Sequence, residues 1–144
     1  MNLMAALFIE SIDVRQVEGP STRIDLTGAH FSAAAPEPFP LTWAPHLVAI
    51  VHAPDDDKGE AILEVVFKRD GEQVARNVQP LQVEPGKFSY RLVRAELEFT
   101  EPGTVYAHCR LDMGEETVVP FTMLDHASAT ETPDSGDAGG GAPA

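Results

Sequence analysis

The densest group of oxygen donors in the 144-residue chain is Asp55-Asp56-Asp57-Lys58-Gly59-Glu60. Calcium takes roughly six to eight oxygens, and an EF-hand loop spaces acids or amides alternately, with glycine sixth and a bidentate Glu twelfth. Asp55 and Asp57 fit the first and third places, but Lys58 intrudes, Gly59 falls fifth and Val66 stands twelfth. The spacing reads instead as a solvated hairpin loop whose charges keep a strand edge from pairing with other chains. The histidines offer no better metal site. His46 and His52 share a face of one strand but lie about 20 Å apart at ~3.3 Å per residue, and the neighbours His108 and Cys109 point to opposite faces. His30 and His126 have no spacing that joins them to either pair.

Covalent catalysis would need Cys109 or a serine beside a base and an orienting acid. Cys109 alternates with Val105, Ala107 and Leu111, so it is expected on a buried face as a small hydrophobe with an inert thiol. There is no Gly-x-Ser-x-Gly elbow, phosphate-binding loop, dinucleotide glycine fingerprint or His-Glu-x-x-His. The carboxylate pairs Glu96/Glu98 and Glu115/Glu116 lie on an exposed strand face and after a turn, without the sugar-sized cleft that glycosidase chemistry requires. No catalytic residue, cofactor or metal is expected, and the chain is not expected to be an enzyme.

Binding is the remaining chemistry. Phe31, Phe39, Leu41 and Trp43 lie in the proline-rich stretch from Phe31 to His46, which holds the only Trp. Aromatic residues beside prolines on a loop suit an interaction surface. Alternatively, Phe39, Leu41 and Trp43 alternate inward and cap one open end of the fold. Trp43 and Tyr106 together would make a stacking platform for a small ligand or carbohydrate.

The elements that carry these residues have period two. Leu63, Val65 and Phe67 alternate with polar or smaller neighbours, as do Ile24 and Leu26, Phe88, Tyr90 and Leu92, and the row containing Cys109, each predicting a strand with one buried and one wet face. Residues 46–52 are apolar on both faces, which predicts a central strand covered on both sides. Turns rich in Gly, Pro and Asp separate the runs, including Glu18-Gly19-Pro20, and Asp70-Gly71 predicts a type I′ hairpin. The spacing gives eight strands, near 3–14, 21–29, 46–52, 61–69, 72–79, 87–100 with a possible break near Ala95, 103–111 and 116–124. With no amphipathic helix, this is an all-β antiparallel sandwich of about seven to nine strands. Pro36, Pro38 and Pro40 interrupt an orderly meander, so a barrel is the weaker choice.

The chain carries 23 acids and 10 bases, a formal charge of -13. Such a charge repels phosphate backbones and anionic membranes, so no nucleic acid and no membrane is expected as a partner. A single cysteine cannot form an internal disulfide and fits a reducing compartment. The apolar N-terminus has no preceding Lys or Arg and no cleavage site, so it reads as a strand in a cytoplasmic protein. Residues 1–124 form the expected domain, at nineteen acids against ten bases. Residues 125–144, rich in Ala, Gly, Pro and Asp, cannot bury enough apolar area to offset ~1–2 kcal/mol of backbone entropy per residue and are expected to be a disordered acidic tail.

Two parts of the chain look familiar. Ala5-Ala6-Leu7-Phe8-Ile9-Glu10-Ser11-Ile12-Asp13-Val14 with Ile24-Asp25-Leu26-Thr27-Gly28-Ala29, and Glu101-Pro102-Gly103-Thr104-Val105-Tyr106 with Val119-Pro120-Phe121, resemble the first strands and last hairpin of an uncharacterised bacterial family of small immunoglobulin-like β-sandwich proteins. The resemblance implies the fold; that family has no assigned activity or catalytic residue to carry over. The resulting expectation is a non-catalytic module that binds a protein partner or self-associates through a sheet edge or the Phe31–His46 loop, with a small-ligand or carbohydrate-binding module as the alternative.

Overall fold

A computed structural model describes residues 1–16 and 22–126. The Glu18-Gly19-Pro20 turn and the tail from residue 127 onward lie outside the described residues. Within them the chain is all-β, with twelve strands: β1 (Asn2–Ile9), β2 (Ser11–Gln16), β3 (Thr22–Thr27), β4 (Ser32–Ala34), β5 (Leu41–Trp43), β6 (His46–His52), β7 (Glu60–Arg69), β8 (Glu72–Gln82), β9 (Phe88–Arg94), β10 (Leu97–Phe99), β11 (Gly103–Leu111) and β12 (Thr117–Leu124).

The count exceeds the sequence expectation for three local reasons. The first expected strand breaks at Glu10, whose N–H turns to the Thr27 carbonyl at 2.9 Å, leaving β2 free to pair with β3. The strand expected over 87–100 divides around Ala95 and Glu96 into β9 and β10. Finally, the stretch read as a loop contains β4 and β5, each three residues long and too short for alternation to show.

The strands form a five-stranded sheet, β4-β12-β11-β7-β8, a three-stranded sheet, β1-β6-β9, and two pairs, β5/β10 and β2/β3. Pairing is antiparallel except between β4 and β12, which run parallel. The β7–β8 hairpin turns at Asp70 and Gly71, with φ of 53° and 80°, as two positive-φ turn residues require.

One core joins the two larger sheets and the β5/β10 pair. The three-stranded sheet contributes Phe8, Leu47, Ala49 and Val51; the five-stranded sheet contributes Leu63, Val65, Phe67, Val105, Ala107, Cys109, Phe121 and Met123. The β5/β10 pair adds Leu41, Leu97 and Phe99. Phe8 meets Phe121 edge-on at 5.1 Å between ring centroids, and burial of each such ring contributes about 1.5–3 kcal/mol. Among the described residues no helix is long and apolar enough to cross a membrane.

Strand β9 reverses the expected inside and outside. Val93 is fully buried, whereas Phe88 is 64% exposed and Leu92 39% exposed. The register explains this: Val93 lies opposite the core residue Leu47, while Leu92 lies opposite Val48 and Tyr90 opposite Ile50 on the other face. The larger apolar row of β9 therefore belongs to the outside of the three-stranded sheet.

Candidate functional site

The five residues singled out from the sequence do not form one surface. Leu41 is buried, and Phe39 and Trp43 pack against the core while Thr42 between the last two is exposed. Trp43 stacks on Phe121 at 6.1 Å with the rings 25° apart. This is the capping arrangement. Phe31 is 58% exposed at the entry to β4. Tyr106 lies opposite Pro120 and is exposed, whereas the adjacent Val105 and Phe121 face the core. The five-stranded sheet thus stands between Trp43 and Tyr106, and they share no stacking platform.

The acidic loop is occupied by structural work. Asp57 Oδ1 accepts from the α-ammonium of Met1 at 2.8 Å, and its Oδ2 accepts from the Gly59 N–H at 2.8 Å. The Met1 ammonium and the Gly59 N–H hold the Asp57 carboxyl below its ordinary range. Among the described residues no group of three or more His, Cys, Asp or Glu is placed to hold a metal ion. Cys109 is fully buried, and that burial, with a smaller contribution from the Glu116 charge, pushes its thiol pKa up to about 12. At that pKa it is no nucleophile at neutral pH.

The outer face of the five-stranded sheet is held by charge. Glu64 on β7 accepts from Arg76 on β8 and from Arg110 on β11, both at 2.8 Å, and these two bonds hold its carboxyl below the ordinary range. His108 Nδ1 and Glu116 Oε1 lie 3.1 Å apart in the neighbouring row.

The sheet edges are blunted in different ways. On β9, the carbonyls of Leu92 and Arg94 accept from the side-chain amides of Gln79 and Asn77 at 3.2 and 3.3 Å. On β8, direction follows from alternation. Ile62 gives its carbonyl to the Asp112 N–H across β11, so Ile62, Glu64 and Val66 turn their backbone groups toward β11. Their partners Pro80, Val78 and Arg76 turn theirs to the open edge. That edge is interrupted by a bulge where Ala75 and Gln73 pair with consecutive residues Phe67 and Lys68, and by Pro80, which has no N–H to offer.

One face keeps exposed apolar side chains, at Phe88 and Leu92, although Val48 and Ile9 within it are fully buried. The outward rows of the three-stranded sheet run Leu7, Val48, Leu92; then Ala5, Ile50, Tyr90; then His52 and Phe88. The ring centroids of His52 and Phe88 are 4.4 Å apart. Ile9, His46 and Arg94 complete the face at its other end. None of these residues is acidic, in a chain with 23 acids. Sequence reasoning missed the face because Phe88, Tyr90 and Leu92 read as a core row; the available signal was the apolar pattern on both sides of β6. The comparisons leave this geometry as the guide, since the chain matches no protein-family model and no curated protein.

Proposed function

We propose that this chain is a cytoplasmic, non-catalytic β-sandwich of the immunoglobulin-like kind, resembling the bacterial family named above, and that it works as an interaction module by pairing with a second copy of itself. The observation that carries the reading is the carboxylate-free apolar face formed by Leu7, Ile50, Phe88, Tyr90 and Leu92. Two copies of a chain with a formal charge of -13 repel at long range, so contact favours the face where no acid opposes an acid. Its single buried cysteine suits a reducing compartment.

Magnitudes set the expected strength. Three strands of about seven residues project roughly 23 Å by 14 Å, an upper bound of about 300 Å² per copy because Val48 and Ile9 are already buried, and below the ~800 Å² per partner of a standard stable interface. The pairing is therefore weak and concentration-dependent. Sedimentation equilibrium of the full chain should show reversible monomer–dimer exchange. Leu92→Glu should abolish it with little change in melting temperature, because Leu92 is partly exposed in the monomer. A chain that stays monomeric at every concentration, or that dimerises equally well with Leu92→Glu, would overturn the proposal.

A further inference from the structure

The outer face of the five-stranded sheet combines charge with exposed apolar surface. Its inner rows belong to the core, and its outward rows follow from the registers of β12, β11, β7 and β8. In one row Tyr106 stands between Pro120 and Lys68. The next sets Val118 and Val66 on either side of His108, with Arg76 beyond. In the third, Glu64 lies between Arg110 and Val78, and Ile62 is the next outward residue along β7. Ile62, Val78, Tyr106 and Val118 are 43%, 44%, 45% and 45% exposed, so a partner can reach all four.

The charge on this face runs against that of the chain. Lys68, Arg76 and Arg110 surround one acid, Glu64, in a chain of 23 acids and 10 bases. Two further acids stand at the margin and are engaged there, Glu116 with His108 Nδ1 at 3.1 Å and Asp112 with the Ile62 N–H at 2.9 Å. Glu64 accepts the Nε–H of both arginines, which fixes the two guanidiniums and leaves further N–H groups on each for another carboxylate. Their side chains are 54% and 29% exposed. The three bases span two row spacings, about 13 Å along the strands.

We infer that this face docks an amphipathic helix of a partner protein whose apolar stripe is flanked by carboxylates. Charge complementarity selects the acids, and the exposed Ile, Val and Tyr side chains select the stripe. A helix suits a sheet face because it satisfies its own backbone hydrogen bonds, whereas a strand laid there would find no ladder to join. A nucleic acid is disfavoured, since nineteen acids against ten bases in residues 1–124 repel a dense row of phosphates at long range, while a helix with a few carboxylates can approach. The self-pairing proposed above uses the other large sheet, so the two surfaces are tested apart.

A helix of about 18 residues is ~27 Å long and covers the length of these strands. Three such peptides serve as probes, with one leucine stripe flanked by Glu, by Gln or by Lys, together with a short oligothymidylate. The Glu peptide should move the amide resonances of Val66, Tyr106 and Val118 saturably in the ¹⁵N-labelled full chain, and leave those of Ile50 and Tyr90 in place. Its affinity should fall at least about tenfold in about 1 M salt, where the Debye length is ~3 Å. Lys68→Glu with Arg76→Glu should weaken it by a similar factor and let the Lys peptide move the same three resonances. Tyr106→Ser keeps every charge and should weaken the Glu peptide severalfold, whereas Leu92→Glu should bind it as the parent does. No saturable shift with the Glu peptide, an equal response of these residues to the Gln or Lys peptide or to the oligonucleotide, or binding unchanged by the charge reversal would overturn the inference. So would a response that appears only after Glu131→Gln, Asp134→Asn and Asp137→Asn, which would make the chain's own acidic segment the occupant. Movement of the same three resonances on simple dilution would make a second copy the occupant and overturn it as well.

Discussion

The side-chain amide of Gln79, on the five-stranded sheet, donates to the Leu92 carbonyl of the three-stranded sheet at 3.2 Å. With Asn77 and Arg94 beside it, the contact links the two sheets and occupies carbonyls on the free side of β9. The pair does structural and protective work at once. The double substitution Asn77→Ala with Gln79→Ala should lower stability by about 1–2 kcal/mol, since each net hydrogen bond contributes roughly 0.5–1.5 kcal/mol. Urea denaturation measures that loss. Static light scattering on warming should also show aggregation setting in earlier than in the parent, because the β9 edge is uncovered.

Gly59 and Gly71 separate two costs of adding a methyl group. Both have positive φ, at 84° and 80°. A Cβ on Gly59 would stand 2.7 Å from the Val83 carbonyl oxygen, whereas one on Gly71 meets nothing within 4 Å. Gly71→Ala should therefore cost about 1 kcal/mol, the backbone penalty alone. Gly59→Ala should cost at least about 2 kcal/mol more than that, in the range typical of overpacking. Equal melting temperatures for the two variants would remove the steric explanation.

Acid should weaken the fold through Glu64 and Asp57. Arg76 and Arg110 lower the carboxyl pKa of Glu64 from its ordinary 4.5, and the Met1 ammonium and Gly59 N–H lower that of Asp57 from 3.8. A depressed native pKa means that the unfolded state binds more protons in acid. The stabilisation is complete above the ordinary values and is lost as pH falls through the lower native ones. Glu64→Gln should flatten the acid limb of a melting-temperature profile below pH 4.5 while leaving the alkaline limb in place.

Cys109 contributes to the alkaline limb. Its thiol pKa rises from an ordinary 9.0 to about 12, so between those values the unfolded chain is deprotonated while the native chain keeps the proton. Stability therefore falls as pH rises through that window. Cys109→Ala should remove this part of the decline, at a constant cost from the small cavity it leaves. A thiol reagent such as 5,5′-dithiobis(2-nitrobenzoate) should label native protein only as fast as the core opens, with a rate that climbs steeply in urea; rapid labelling at neutral pH would contradict the burial.

Much of the β architecture is legible in the residues themselves, because alternation, turn chemistry and burial agree there. The Asp70-Gly71 hairpin, the inward Cys109 row, the division near Ala95 and the two-sided apolar pattern of β6 all follow from local signals. The orientation of β9 does not. Phe88, Tyr90 and Leu92 form the larger apolar row, so hydrophobicity alone turns them inward; Leu47 opposite Val93 reverses the choice, and that pairing spans 46 positions of sequence. β4 and β5 escape for a different reason, since three residues give alternation too little length. The apolar face likewise combines Leu7, Ile50 and Tyr90 from three separate strands, and only the folded path brings them together.

The four outer strands of the two larger sheets carry a consequence for how assembly ends. β9 has capped carbonyls, β8 is broken by a bulge and Pro80, β4 is three residues long, and the end of β1 is engaged, with Phe8 accepting from the His30 N–H. Edge-to-edge joining would propagate, each added copy presenting a fresh strand to the next, and so build a filament. Face-to-face joining about a two-fold axis consumes the surface that makes it. The proposed pairing, being of the second kind, would end at two copies, with no growing ribbon to be cut short at high concentration.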